Sequence, residues 1–393
     1  MDGFELFGST SQLDLPLESA SGIGSASRGT ADLGWALLSA DAEPNKVIAP
    51  SSLAITLGML AEGATDATLA GIDTAFGLSG DERSKALGAL RQSLGRYDNL
   101  PESVDVKAPP KEPVVHQASQ VVVVEGKKVE QHFLDRLSTY YGAGAHQVPI
   151  GKVKGVLDAW AKKHTAGLIK QSAIEVSPQL VLVLQDAILF AAAWATEFSS
   201  DDRNLEFRAP SGTQRVKALS GKFSAPWAKG DDWTAIRLRY DDALAMDVIL
   251  PEEGTDPNDL SADTLDATRA ALDSASRQTV NLTMPPCDLT GKLELLTMLE
   301  TQGISFDNSV DGIFPGAIVN QFVQQVRFMV SAKGTVGAAL TEVAVVESAP
   351  FPPPKIISMV VNRPFIMRVL DTRTGWPLFL AVISDAQAAG QAG

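Results

Sequence analysis

A single cysteine in 393 residues, Cys287, rules out an internal disulfide. It reads as a small buried hydrophobe rather than a reactive thiol. Histidine is almost as scarce. His116, His132, His146 and His164 are scattered, with no metal-binding spacing such as H-E-x-x-H, and each reads as a surface or hydrogen-bonded side chain. No G-x-S-x-G elbow occurs, no P-loop, and no glycine-rich dinucleotide turn after a strand. The acidic pairs Asp241-Asp242 and Glu252-Glu253 sit in turn-like contexts and read as solvated. The sequence therefore offers no case for an enzyme, a metal site or a cofactor.

Positive charge is also in short supply. Lys and Arg number 33 against 47 Asp and Glu, a formal net charge of -14, which argues against a nucleic-acid binder. Long apolar runs are missing too. The longest, Leu180 to Ala195, is interrupted by Gln185 and Asp186 and is too short to span a membrane. Met1 to Glu5 shows no basic region and no apolar core, so no signal peptide is visible. A cytoplasmic protein, or a secreted one with its signal removed, is equally compatible.

What is present is an ordinary globular composition, 45% hydrophobic and 20% charged, sufficient for a sizeable core. Residues 1–30 are rich in Ser and Gly without a clear period and read as a loose arm, and residues 31–393 as one interwoven α+β domain. Helices are expected over 31–40, from Pro50 through Leu53, Leu57 and Leu60, and over 65–76, 81–94, 128–140, 151–164, 256–277 and 293–302. Strands are expected over 114–124, 180–190, several between 207 and 250, then 280–283, 321–332, 356–361, 365–371 and 377–384.

Between the strands at 321–332 and 356–361 lies an unusual segment. Gly334-Thr335-Val336-Gly337-Ala338-Ala339 is too small to fill a core, yet the stretch lacks the charge of a disordered linker. Pro350 and Pro352 to Pro354 close it, favouring a stiff polyproline II end. It reads as a strand held out of its sheet.

Motifs elsewhere carry a family resemblance. Asn45 to Ser52 (NKVIAPSS), running on to Met59–Ala64 (MLAEGA), resembles the serpin segment leading into the second helix. Trp160, Thr165, Gly167 and Ile169 are similar to the serpin W-x-x-x-x-T-x-G-x-I pattern. Asp186 to Phe190 with Trp194 and Phe198 resembles the central strand, Leu250 to Gly254 a serpin turn, and Asn362 to Phe365 with Pro377 to Phe379 the C-terminal signature. The matches keep serpin order from about 31 to 386. The resemblance implies three β-sheets, eight or nine helices and an exposed reactive-centre loop at about 332–355. It further implies a monomeric serine protease inhibitor that is cleaved, inserts its loop as an extra strand in the large sheet and traps the protease as an acyl-enzyme. A non-inhibitory serpin, a binding or chaperone module, is the alternative.

Insertion requires a freely turning hinge, small leading residues and one uncharged face. Gly334 gives the hinge its freedom, and Gly337, Ala338 and Ala339 are small. Strand side chains alternate, so Thr335, Gly337, Ala339, Thr341, Val343 and Val345 share a face without charge, and Glu342 falls on the other face. Against the family pattern, Ala332 and Val336 replace glutamates and Leu340 a smaller residue. In the sheet-opening region Ser52 fits, while Ala49, Asp186 and Gln324 stand where the family commonly has Ser, Asn and His. A buried Asp186 would need donors, and Gln324 can supply them. Serpin spacing puts the scissile bond at Ser348-Ala349, with the bonds on either side of Glu347 as alternatives. A small residue there fits an elastase- or subtilisin-like protease, and cleavage after Glu347 a glutamate-specific one. No basic residue lies between Thr335 and Pro354, which disfavours trypsin-like targets.

Overall fold

The computed structural model describes residues 4–6, 11–105, 107–306, 310–335 and 356–390. Val336 to Ala339, Glu347, Ser348 and Ala349 therefore lie outside the described residues. In chain order the elements are β1 (Phe4–Leu6), α1 (Ile23–Ala40), β2 (Asn45–Ile48), α2 (Pro50–Ala61), α3 (Asp66–Phe76), α4 (Gly80–Ser93), β3 (Val114–Val124), α5 (Gln131–Tyr141), β4 (Gly144–Val148), α6 (Ile150–His164), β5 (Leu182–Ala193), β6 (Ser200–Ala209), β7 (Gly212–Lys229), β8 (Trp233–Arg239), β9 (Leu244–Pro251), α7 (Ala262–Ser274), β10 (Arg277–Met284), β11 (Cys287–Glu294), α8 (Leu295–Thr301), β12 (Val323–Val330), β13 (Gly334–Thr335), β14 (Ile356–Val360), β15 (Phe365–Asp371), β16 (Trp376–Ile383) and α9 (Ala386–Ala389).

Among the described residues these strands form three sheets. The largest has the order β14-β10-β7-β8-β9-β15-β16-β2, with β6 paired to β7. Every residue of β9, β15 and β16 is buried, as expected of strands covered on both faces. At its edge Asn45–Ile48 pairs with Leu380–Ile383, so the two ends of the chain are woven into one sheet. The second sheet runs β1-β4-β3-β5-β13, and the third is the antiparallel pair β11-β12. One face of the second sheet joins the main core through Val115, Val121 and Val123. The other is covered by α6, whose Val153 and Leu157 pack on Val122, Val124 and Val183.

Two expectations are corrected. The supposed loose arm ends early, because α1 starts at Ile23 and buries Ala26, Ser27, Gly29 and Thr30. The Gly and Ser content reflects close packing: a Cβ on Gly29 would lie 2.3 Å from the Ala75 carbonyl oxygen, so α1 and α3 meet through bare backbone. The helix expected over 256–277 spans only Ala262–Ser274. Ser261 caps it by accepting from the Thr264 amide, and Arg277 already belongs to β10. The segment 180–190, expected as a central strand, is β5, bonded to β3 on one side and to β13 on the other.

Candidate functional site

The site is the seam between the second and third sheets. At its upper end the chain leaves β12, turns through Ala332 and Lys333, and lays Gly334 and Thr335 antiparallel on β5, opposite Ala193 and Ala192. Trp194 holds this turn. Its Nε1 donates to the Ser331 carbonyl at 3.0 Å, and its backbone amide donates to the Lys333 carbonyl at 3.1 Å. The indole stacks on Tyr240, centroids 4.6 Å apart, and meets Phe198 edge-on. The Tyr240 and Thr335 hydroxyls lie 2.6 Å apart, and Thr335 is only 2% exposed. Burial raises the Tyr240 phenol well above its ordinary value, so it stays protonated and able to donate. Gly334 is required by close approach: a Cβ there would sit 2.4 Å from the Ala192 carbonyl oxygen.

Below Thr335 the two sheets part. A cavity of about 410 Å³ separates β5 from β12, with Asp186, Ile188 and Phe190 on one wall, Gln324 and Phe328 on the other and Thr335 at the end. Trp160, Thr165 and Leu168, from α6 and the turn after it, also line it. The sheet is thus seamed at the top by β13 and open beneath.

Halfway down are two polar links. Gln324 clips β12 to the start of α2: its Oε1 accepts from the Ala49 amide and its Nε2 donates to the Ala49 carbonyl, both at 2.9 Å. Asp186 is tied to the neighbouring strand instead, its Oδ1 accepting from the Ser119 hydroxyl at 2.6 Å. The expectation that Gln324 supplies donors to Asp186 is therefore corrected: its amide bonds to Ala49, and Asp186 Oδ2 has no hydrogen bond from it. Register explains the Ser119 bond, because Ser119 lies directly opposite Asp186 on the same face of β3 and β5. Burial raises the Asp186 carboxyl to about 6, against the opposing pull of the Ser119 and Ser52 hydroxyls and the Arg91 charge. Asp186 Oδ2, both amide atoms of Gln117 and Nε of Arg91 are buried without a hydrogen-bond partner among the described residues.

A family model for serpins (serine protease inhibitors) matches residues 27–386. The chain belongs to the serpin family. This serpin is 27% identical over 353 residues to an uncharacterised serpin-like protein of Thermococcus kodakarensis, covering 86% of this chain and 79% of that one. It is 24% identical over 363 residues to Iripin-8 of Ixodes ricinus, covering 86% of this chain and 88% of that one. Among solved structures, the native state of the thermophilic serpin tengpin superposes with a TM-score of 0.82 at 19% identity, covering 98% of this chain and all of that one. A thyroxine-binding globulin complexed with thyroxine superposes with a TM-score of 0.74 at 18% identity, covering 92% and 99%. At such identities the structural likeness shows the fold.

Of the residues singled out in the sequence, the serpin brings Trp194, Gly334 and Thr335 together at the top of the seam, and Ala49, Ser52, Asp186 and Gln324 around its middle. Tyr240, Ser119, Gln117 and Arg91 are additions. The polar run Gln117 to Gln120, inside an otherwise valine-rich strand, is the sequence signal for two of them. Tyr240 carries no such signal. Cys287 is buried in β11, its thiol raised by burial and inert. No helix of the described residues is long and apolar enough to cross a membrane.

Proposed function

We propose that this serpin inhibits serine endopeptidases as a suicide substrate. Its loop is cut, and the segment behind Thr335 then enters the seam between β5 and β12 as a new strand. One observation carries the reading: Gly334 and Thr335 already form the first two residues of such a strand on β5, directly above the cavity. Continuing that register brings Thr341 opposite Asp186 and Val345 opposite Leu182, where β5 begins. The uncharged face of Thr335, Gly337, Ala339, Thr341, Val343 and Val345 would turn to the core, as Thr335 already does. Glu342 would turn the other way, opposite Gln185.

The protein acts here as substrate and trap, not as catalyst, and uses no cofactor. The protease serine attacks the carbonyl of the scissile bond, taken as Ser348-Ala349, and expels the amine of Ala349. The ester persists because strand insertion drags the protease away and distorts it before its active site can hydrolyse the acyl carbon. The sequence around Ser348 fits an elastase- or subtilisin-like protease acting on a monomeric inhibitor, and cleavage after Glu347 a glutamate-specific one. Incubation with pancreatic elastase, subtilisin and a glutamate-specific protease tests this. A complex that survives boiling in SDS, with the serpin fragment ending at residue 348, is expected. Clean loop cleavage with full protease activity would replace this reading with a non-inhibitory one, towards which Ala332, Val336 and Leu340 lean.

A further inference from the structure

Charge is unevenly spread over this molecule. A formal net charge of -14 makes it repel anionic partners as a whole. One sheet face differs. Its outward positions are the even residues 220–226 of β7, the odd residues 277–283 of β10 and the even residues 356–360 of β14. None of them is Asp or Glu. Three cations line it instead. Arg203 reaches in from β6 and donates to the Ser220 hydroxyl at 3.2 Å, Lys222 stands at the next outward position, and Arg277 donates to the Ser224 carbonyl. Held at successive outward residues of β7, they span about 14 Å. All three are exposed, and none has an ion-pair partner among the described residues. At the rim, Asp201 and Asp202 sit in the irregular start of β6, where Lys217 offsets Asp202. Glu252 and Glu253 are paired with Lys229 and Arg208. Beside the cations, Ile356 and Val360 are 48% and 40% exposed, on the strand that ends the sheet. Arginine and exposed apolar groups together are what a protein partner buries, whereas a face that serves solubility alone needs no apolar side chains. The chain path says which partner comes here. From Ala349 to Ile356 the chain reaches at most about 25 Å, so a protease gripping Ser348-Ala349 is tethered within less than a small domain's diameter of this face.

We propose that the outward face of β7, β10 and β14 is a second docking surface for the protease that cuts the loop, and that it favours a protease whose surface beside the active-site cleft is acidic. This rests on the reading that a serine protease cuts the loop, and adds which protease is selected. An acidic protease is repelled by the net charge of this serpin and attracted at this one face, so its encounters are turned towards the end of the loop. Lys222, Arg203 and Arg277 act before contact. Ile356 and Val360 add apolar burial once the surfaces meet. Because the cations are exposed, their reach falls to about 8 Å at physiological salt. Such a face changes the rate of association and leaves the chemistry at the scissile bond alone.

The test uses the full chain with subtilisin and with succinylated subtilisin, whose lysines then carry carboxylates. The second-order rate of loop cleavage is measured at about 20 mM and about 300 mM salt. Each rate is divided by that on a free peptide of residues 341–354, which removes changes in the protease's own active site. At low salt the succinylated enzyme should react at least about tenfold faster than the unmodified one, and high salt should close the gap. Lys222→Glu, at an exposed side chain, should remove most of that preference, while Lys128→Glu, the same charge change just ahead of α5, should keep it. No preference in the unmodified protein, or equal losses in Lys222→Glu and Lys128→Glu, overturns the proposal while leaving loop cleavage standing. Retention on dextran sulfate that depends on Lys222, with protease rates that do not, overturns it in favour of a polyanion site. Complex formation is scored separately on SDS gels, so cleavage without complex removes the inhibitory reading and leaves the docking preference to be read from the rates. Should neither enzyme cut the loop, both readings fall.

Discussion

The hydroxyls of Tyr240 and Thr335 lie 2.6 Å apart in the interior, joining the end of β8 to β13. Tyr240→Phe keeps the stack on Trp194 and deletes only the hydroxyl, leaving Thr335 with a buried, unpaired oxygen. A loss of about 1–2 kcal/mol in intact-protein stability is expected from urea unfolding, with faster hydrogen exchange at the Thr335 amide.

Gly334 meets β5 where no side chain fits, with the Ala192 carbonyl oxygen 2.4 Å from any added Cβ. Gly334→Ala should push β13 off β5. The expected outcome is slower stabilisation after loop cleavage, with the protease released rather than trapped in most encounters. Stoichiometry of inhibition measures this partition, and an unchanged value would mean the Gly334–Ala193 pairing is incidental to insertion.

The two-way bond between Gln324 and Ala49 holds β12 to the α2 start. Gln324→Leu fits the cavity wall but leaves the Ala49 amide unmatched, while the Ala49 carbonyl keeps only the bond it accepts from the Leu53 amide. A destabilisation of about 2 kcal/mol is expected. Because the lost bond also holds the seam, spontaneous conversion of the uncut protein on mild heating should accelerate, measured as the appearance of a heat-resistant fraction.

His116 bridges two elements, its Nδ1 2.6 Å from Asp98 Oδ1 and its Nε2 2.8 Å from His164 Nδ1. His164 is lowered to about 4, first by burial, then by the neighbouring His116 and Lys163. Its folded-state value lies below the unfolded value of about 6.5, so the unfolded chain binds more protons between those limits. The His164 contribution is therefore complete above pH 6.5 and is lost as the pH falls through 4. Asp186, raised rather than lowered, slopes the opposite way, stabilising at low pH and losing that effect as the pH rises through 6. Comparing unfolding of the protein and its His164→Asn variant at pH 4.5 and 7.5 isolates the His164 part. The difference should change by up to about 2 kcal/mol, with hydrogen exchange in α6 rising first at acid pH in the unmodified protein.

Much of the fold was legible because apolar patterning is local. β3 and β15 fall on the residues their runs of Val, Ile, Leu and Phe mark out, and α6 is off by one residue. The start of α1 was not, because small residues that permit close helix contact look the same as those of a linker. The site was half legible. Its members could be named from motif positions, whereas their pairings could not. Asp186 meets Ser119 because β3 and β5 adopt one register, and Gln324 meets Ala49 across 275 residues of sequence separation. Such choices are made by packing of whole strands, and no short window of sequence contains them.

The central claim is that the segment behind Thr335 belongs in the cavity between β5 and β12. The most direct measurement is the melting temperature of the protein before and after a single cut in the loop. Filling the seam adds a full strand's backbone bonds and closes an open apolar cavity, so the cut protein should melt more than about 10 °C higher than the intact one. An unchanged or lower melting temperature, with the cut confirmed by mass spectrometry between residues 345 and 350, would contradict it.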